Sequence, residues 1–207
     1  MSISIYKPNS KCAGCAFSFS VGYAKGDKPP SLYVNAIQQS SWDNNRKTGS
    51  FSENKSDPDK NIFVKFNEFE IGSMISSFNT RIEYSTLHAY EENKTQIKLT
   101  PWDKDEKISS YDYKTKSFVE QKVKVPAFGI NITRNGNQTF RIPLTPGEVE
   151  VLKNFLLFTL NQINEHRLAT RTSYNKKDDQ PQKVQNTPVK EDEPTSEVSS
   201  FEDDAPF

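Results

Sequence analysis

The segment FGINITRNGNQTFRIPLTPGEVEVLKNFL, residues 128–156, leaves little choice of local structure. Two runs alternate apolar and polar residues on either side of Asn135-Gly136. Asn-Gly is the pair a tight type I′ hairpin prefers, because both central residues need positive φ. Phe128, Ile130 and Ile132 share one face of the first strand, and Phe140, Ile142 and Leu144 the matching face of the second. A helix must follow at once. Thr145 is a good N-cap, Pro146 sits where no N–H is needed, and Glu148 stands three residues past the cap, as a capping box requires. Val149, Leu152, Phe155, Leu156, Leu160 and Ile163 then repeat at helical spacing. The stripe is wide, so the helix is expected to lie on a sheet.

A degenerate copy of this plan lies upstream. CAFSFSVGY (15–23) and SLYVNAIQQSSW (31–42) read as paired strands joined through the loop at 26–30. NIFVKFNEF (61–69) reads as a strand, and EIGSMISSFN (70–79) as a short helix through Ile71, Met74, Ile75 and Phe78. EYSTLHAYEENKTQIKLTPW (83–102) is a further hairpin, turning across 91–94. Strands then a helix therefore occur twice, over about 13–79 and 81–168, and Ile71 and Met74 answer Val149 and Leu152. The expected fold is α+β, with antiparallel sheets, helices and two ββββα-like units.

Past Arg167 the apolar periodicity stops. Residues 169–207 are polar and proline-bearing and cannot repay the entropy of folding, so a folded domain over 1–168 and a disordered linker over 169–207 with an acidic tip are expected. The net charge of zero hides a division. Residues 1–172 hold 23 Lys/Arg against 18 Asp/Glu, and the remainder holds 4 against 9. A mildly basic body attracts polyanions, and an acidic string can screen it. No apolar stretch is long enough to span a membrane, and the N-terminal residues lack the apolar core of a secretory signal. The expectation is a cytoplasmic protein without a membrane partner.

Enzyme chemistry is not expected. KTGS at 47–50 is too short for a phosphate-cradling glycine loop, and no nucleophile stands beside a base in a known pattern. Cys12 and Cys15 form one Cys-x-x-Cys pair, the two histidines are far apart in sequence, and structural zinc needs four ligands. They read as ordinary thiols, with no metal or cofactor implied. Asp103, Asp105 and Glu106 read as a solvated acidic loop.

The aromatics say more. Tyr84, Thr86, His88 and Tyr90 alternate along one strand face, expected to be the open one. If Ile97 and Leu99 are buried, Gln96, Lys98 and Thr100 face out, with Trp102 following. Trp42, Arg46 and Lys47 end another strand, Arg81 opens the second unit, Arg134 flanks the hairpin turn, and Arg141 projects opposite Phe140 and Ile142. Rings set among cations suit unpaired nucleic acid, whose bases stack while its phosphates meet Lys and Arg. The expected DNA-binding set is therefore Trp42, Arg46, Lys47, Arg81, Tyr84, His88, Tyr90, Lys98, Trp102, Arg134 and Arg141.

The chain ends SSFEDDAPF, and EDDAPF resembles the acidic tip of bacterial single-stranded DNA-binding proteins, which typically ends Asp-Asp-(Ile/Leu)-Pro-Phe. Ala205 replaces the larger apolar residue, while Asp203, Asp204, Pro206 and Phe207 match. A terminal Phe can fill an apolar pocket while its carboxylate meets a cation and the acids steer it there. The resemblance implies that Phe201, Glu202, Asp203, Asp204, Pro206 and Phe207 bind replication, recombination or repair proteins. The body, over about 15–167, resembles instead the Whirly family and the transcriptional coactivator positive cofactor four, in the strand–strand–strand–strand–helix pattern of FGINITRNGNQTFRIPLTPGEVEVLKNFL and in its duplication. NRKTGS at 45–50 loosely resembles the basic Lys-Gly-Lys stretch of plant Whirly proteins. Those folds bind single strands on β-surfaces; the coactivator carries one unit and dimerises, and a Whirly chain carries two. The combination implies a sequence-independent single-stranded DNA-binding protein of phage or mobile-element origin, working in the cytoplasm of a bacterial or infected host cell, with open edge strands that could pair with a second copy. A transcription regulator, an RNA-binding module and a pure protein adaptor are the alternatives.

Overall fold

The computed structural model describes residues 1–23 and 28–178, with side chains as far as Arg171. The expected partner-binding residues Phe201, Glu202, Asp203, Asp204, Pro206 and Phe207 lie outside the described residues, with all the linker beyond 178. Thirteen elements are described: β1 (Ser2–Lys7), β2 (Cys15–Gly22), β3 (Ser31–Gln38), β4 (Ser41–Asp43), β5 (Thr48–Ser50), a short 3-10 turn (Glu53–Ser56), β6 (Asn61–Phe66), α1 (Glu68–Thr80), β7 (Tyr84–Tyr90), β8 (Asn93–Asp112), β9 (Ser117–Arg134), β10 (Gln138–Leu144) and α2 (Pro146–Asp178). Strands β1-β2-β3-β6 form one antiparallel sheet, β10-β9-β8-β7 form a second, and β4-β5 make a separate hairpin. The two ββββα units are present, each a four-stranded meander followed by its helix.

The first unit starts earlier than the expected residue 13. Its opening strand is SISIYK, which turns Ile3 and Ile5 to the core and pairs Ile5 with Phe17. The expected hairpin at Asn135-Gly136 is present, with φ of 51° and 76°. Asn137 N–H donates to the Arg134 carbonyl at 3.2 Å, closing the turn. The ladder then resumes with Arg134 opposite Gln138, so Asn137 is one extra residue in the second strand.

Both helices open with reciprocal caps. Asn67 accepts from Glu70 N–H at 2.9 Å and the Glu70 carboxylate accepts from Asn67 N–H at 2.9 Å. At α2, Glu148 accepts from Thr145 N–H at 2.8 Å. Ile71, Met74 and Phe78 of α1 join Val149, Leu152, Phe155, Leu156 and Ile163 of α2 and the inner faces of both sheets in a single hydrophobic cluster. The units are thus two halves of one core. Lys7 of β1 reaches Glu148 of α2 at 2.5 Å, and Arg167 of α2 pairs with Glu68 of α1, so ion pairs also bridge the halves. No described helix is long and apolar enough to cross a membrane.

Three expectations change. The helix does not stop near 168: α2 continues to Asp178, its last turns polar and carried on by the hydrogen-bond ladder that the buried part nucleates. Asp103, Asp105 and Glu106 are not in a loop; they lie on β8, whose outer half pairs with β9 in a long two-stranded ribbon from Trp102–Ala127 to Asp112–Ser117. The open face of β7 is the opposite one. Tyr84 pairs with Leu99 and Thr86 with Ile97, both buried, so Tyr84, Thr86 and His88 face inward while Ser85, Leu87 and Ala89 face out.

Candidate nucleic-acid interface

Strict alternation in β6 puts Ile62, Val64 and Phe66 into the core and leaves Phe63 and Lys65 outside. Across the ladder, Lys65 lies beside Tyr33 and Ser20, and Phe63 beside Asn35 and Ser18. Tyr6 stands on the same face from β1. The outer face of the first sheet therefore carries three rings on a bed of serine, asparagine and lysine. Gly22 lets the Tyr33 ring lie across it: a Cβ there would come within 2.5 Å of the ring.

This face runs into a groove of about 370 Å³ between the free edge of β6 and the second sheet. Phe63, Lys65, His88, Tyr90, Asn93 and Arg134 are among its walls. Phe63 and Tyr90 are 68% and 74% exposed, so both rings offer their surfaces to a ligand. The second sheet's side of the groove is held in place by its turns. Asn135 exchanges backbone and side-chain hydrogen bonds with Lys94, and Arg134 donates to the Pro58 carbonyl at 3.2 Å in the loop that leads into β6. His88 Nε2 lies 2.6 Å from the Glu70 carboxylate, and the ring packs edge-on against Phe66. Its position is therefore fixed by α1.

The expected set divides among several places. His88, Tyr90 and Arg134 meet in the groove. Lys98 and Arg141 lie on the outer face of the second sheet, in the row Ser85–Lys98–Asn131–Arg141, with Arg141 donating to Asn131 at 2.6 Å. Trp102 and Arg81 stand at the root of the ribbon. Arg81 takes the left-handed conformation that ends α1 (φ 57°), donates to Asp103 at 2.7 Å and to the Trp102 carbonyl at 3.2 Å, and lies over the Phe128 ring. Those bonds make it a structural clamp. Trp42 belongs to β4, and Arg46 and Lys47 to the exposed turn beyond it, where Asp43 caps the chain. Tyr84 packs against the core, and burial pushes its hydroxyl pKa up. Burial likewise raises the Cys15 thiol, while Cys12 is exposed and unpaired, so the two make no disulfide.

Tyr6, Tyr33, Phe63 and Lys65 were not in the expected set. Their signal lies in the alternation of SISIYK, SLYV and NIFVKF, where a ring falls among the polar positions.

No protein-family model matches this sequence, and no curated protein matches it. Its fold is similar to that of WHY1 from Arabidopsis thaliana, with a TM-score of 0.51 and 15% identity over 84% of this chain and 92% of that one. WHY3 from Arabidopsis thaliana gives 0.49 and 13% over 83% and 93%, and the plant transcriptional regulator PBF-2 gives 0.47 and 14% over 87% and 88%. The architecture is Whirly-like, in the two-unit form.

Proposed function

We propose that the protein binds single-stranded DNA without sequence preference, along the outer face of the first sheet and through the groove beside β6. One observation carries this reading: two exposed rings from different sheets, Phe63 and Tyr90, share a groove with Lys65 and Arg134. Stacking is tolerant of sequence because every base has a π-face, and each stacked base contributes about 1–3 kcal/mol. The cations meet the backbone between stacked bases. On this reading the body coats DNA in replication, recombination or repair in the cytoplasm, in a phage or mobile-element setting. The tip Phe201, Glu202, Asp203, Asp204, Pro206 and Phe207 recruits the partner proteins, and the chain is not an enzyme.

Fluorescence anisotropy of labelled oligo-dT against the full chain, at low and moderate salt, tests it. Tight binding that weakens steeply with salt and resists duplex competitor is expected. Salt-independent binding, or none, overturns the reading. RNA that competes as well as DNA of the same sequence would assign the groove to RNA, and a footprint at one sequence would make the protein a regulator. Deleting 201–207 is expected to leave DNA affinity equal or higher while partner binding is lost.

A further inference from the structure

The β8–β9 ribbon carries more apolar surface than the described residues cover. β7 stops pairing at Tyr84–Leu99 and β10 at Leu144–Phe128, so beyond those rows the two long strands pair, among the described residues, only with each other. From Trp102 to Asp112 the arm is about 36 Å long, at roughly 3.3 Å per residue. An isolated two-stranded ribbon is marginally stable in water, and among the described residues no strand covers either of its edges. Alternation puts Trp102, Ile108, Val119, Val123 and Val125 on one face. Trp102, Ile108 and Val119 are 41%, 49% and 46% exposed. At the tip, on the other face, Tyr111 packs edge-on against Tyr113 and Phe118, with centroids 5.2 and 5.3 Å apart, which stiffens the end. The root is aimed by the Arg81 clamp on Asp103.

Charge argues against nucleic acid as the occupant. Residues 102–126 hold six lysines and five acids. Two of those lysines are already paired, Lys104 with Glu106 and Lys107 with Glu120, each at 2.9 Å. Such an arm releases few counterions from a polyanion. An uncovered apolar stripe between interleaved charges of both signs suits a protein surface with the same pattern.

We propose that the ribbon is an association arm that packs its Trp102–Ile108–Val119–Val123–Val125 face on the same face of the ribbon of a second copy of this chain. The face is self-complementary about a two-fold axis through the Ile108–Gln121 row. In that register Lys104 falls level with the partner's Asp112, at both ends of the contact. Within one copy, hydrogen bonds from the Lys114 backbone and the Thr115 side chain hold the Asp112 carboxyl below its usual value. A face about 36 Å by about 10 Å buries about 350 Å² per copy, under half of the ~800 Å² per partner of a standard interface. The contact is therefore weak and reversible in free protein. It strengthens when one DNA strand holds neighbouring copies together. The self-association itself does not rest on DNA binding.

Sedimentation velocity of the full chain over a range of micromolar concentrations tests it, with I108E/V119E as the variant. Both side chains are exposed within one copy, so circular dichroism and the thermal midpoint should not move. The wild type is expected to associate with rising concentration, and the variant to associate about tenfold more weakly or not at all. Mixing ¹⁴N and ¹⁵N chains with an amine cross-linker should give mixed-isotope links from Lys104 to Lys114 or Lys116. A wild type that stays monomeric, a variant that associates unchanged, or only same-isotope links would each overturn the proposal. So would a variant that sediments like the wild type but loses oligo-dT, which would hand the arm to nucleic acid.

Discussion

The two units share a plan and differ where the plan is free. Each is a four-stranded meander ending in a helix with a reciprocal cap, and each gives its helix and inner sheet face to the common core. The first unit places its additions between the third and fourth strands, as the small β4–β5 hairpin, and keeps rings on its outer face. The second stretches its central strands into an arm, and the outer face of its four-stranded part carries Leu87, Lys98, Asn131, Thr133 and Arg141, with its ring, Trp102, only at the root of the arm. Packing holds the inner faces of both sheets to one solution, because a close-packed core resists changes of even one methylene. Outer faces and hairpin lengths escape that constraint, and there the halves have taken different tasks.

The largest expected effect breaks the comparison at the core. Met74 and Leu152 are equivalent helix positions, 1% and 0% exposed. Met74→Ala and Leu152→Ala should each destabilise by about 2–5 kcal/mol. Because both side chains belong to one cluster, each variant should lower a single unfolding transition of the whole body. Two separate transitions in urea, with only one displaced, would show the halves to be independent domains.

Next come the two outer faces. Phe63→Ala and Tyr90→Ala should each weaken oligo-dT binding by about 1–3 kcal/mol, roughly five- to 150-fold. Leu87→Ala, on the outer face of the second sheet and away from Trp102, should change it less than about twofold. Anisotropy titrations at fixed salt decide. Equal losses at Leu87 and Phe63 would mean that the ring-bearing face has no special part.

The repeat and the wide helix stripe could be read from sequence because apolar spacing reports burial directly. Ile71 with Met74, and Val149 with Leu152, occupy the positions their periodicity demands. The face of β7 misleads because Tyr84, Thr86, His88 and Tyr90 all have polar tips and look like surface. The pairing across the turn decides instead. The two-residue turn at Glu91–Glu92 sets Tyr84 opposite Leu99 and Thr86 opposite Ile97, and a four-residue turn over 91–94 would keep the same parity, so either turn puts these residues on the face of the buried Ile97 and Leu99. The ribbon hid because its strands alternate lysine, acid and serine with few apolar residues. It has no core to face, so it leaves no burial pattern. The groove was beyond sequence for another reason: Phe63 and Tyr90 come from different sheets, and only tertiary packing brings them together.

The smallest effect tests the seam between the halves. Glu148 caps α2 and also receives Lys7 from the first unit, whereas Glu70 caps α1 and receives His88 and Thr86 from the second. Burial pushes the Glu148 carboxyl up, but the bonds from Lys7 and Thr145 outweigh it and hold its pKa below the usual carboxylate value. A folded pKa below the unfolded one means stability that is present above the unfolded value and lost as pH falls through the folded one. Glu148→Gln keeps an acceptor for the cap but no charge for Lys7. It should cost about 1 kcal/mol at pH 7, the scale of one cap or charge-assisted bond. The gap should close as the solution is acidified below the ordinary carboxylate range, because the wild type then loses the same charge. Urea midpoints of both proteins at neutral and acid pH measure this directly. A gap that persists unchanged in acid would assign the loss to side-chain packing and remove the Lys7–Glu148 pair from the account of how the two units hold together.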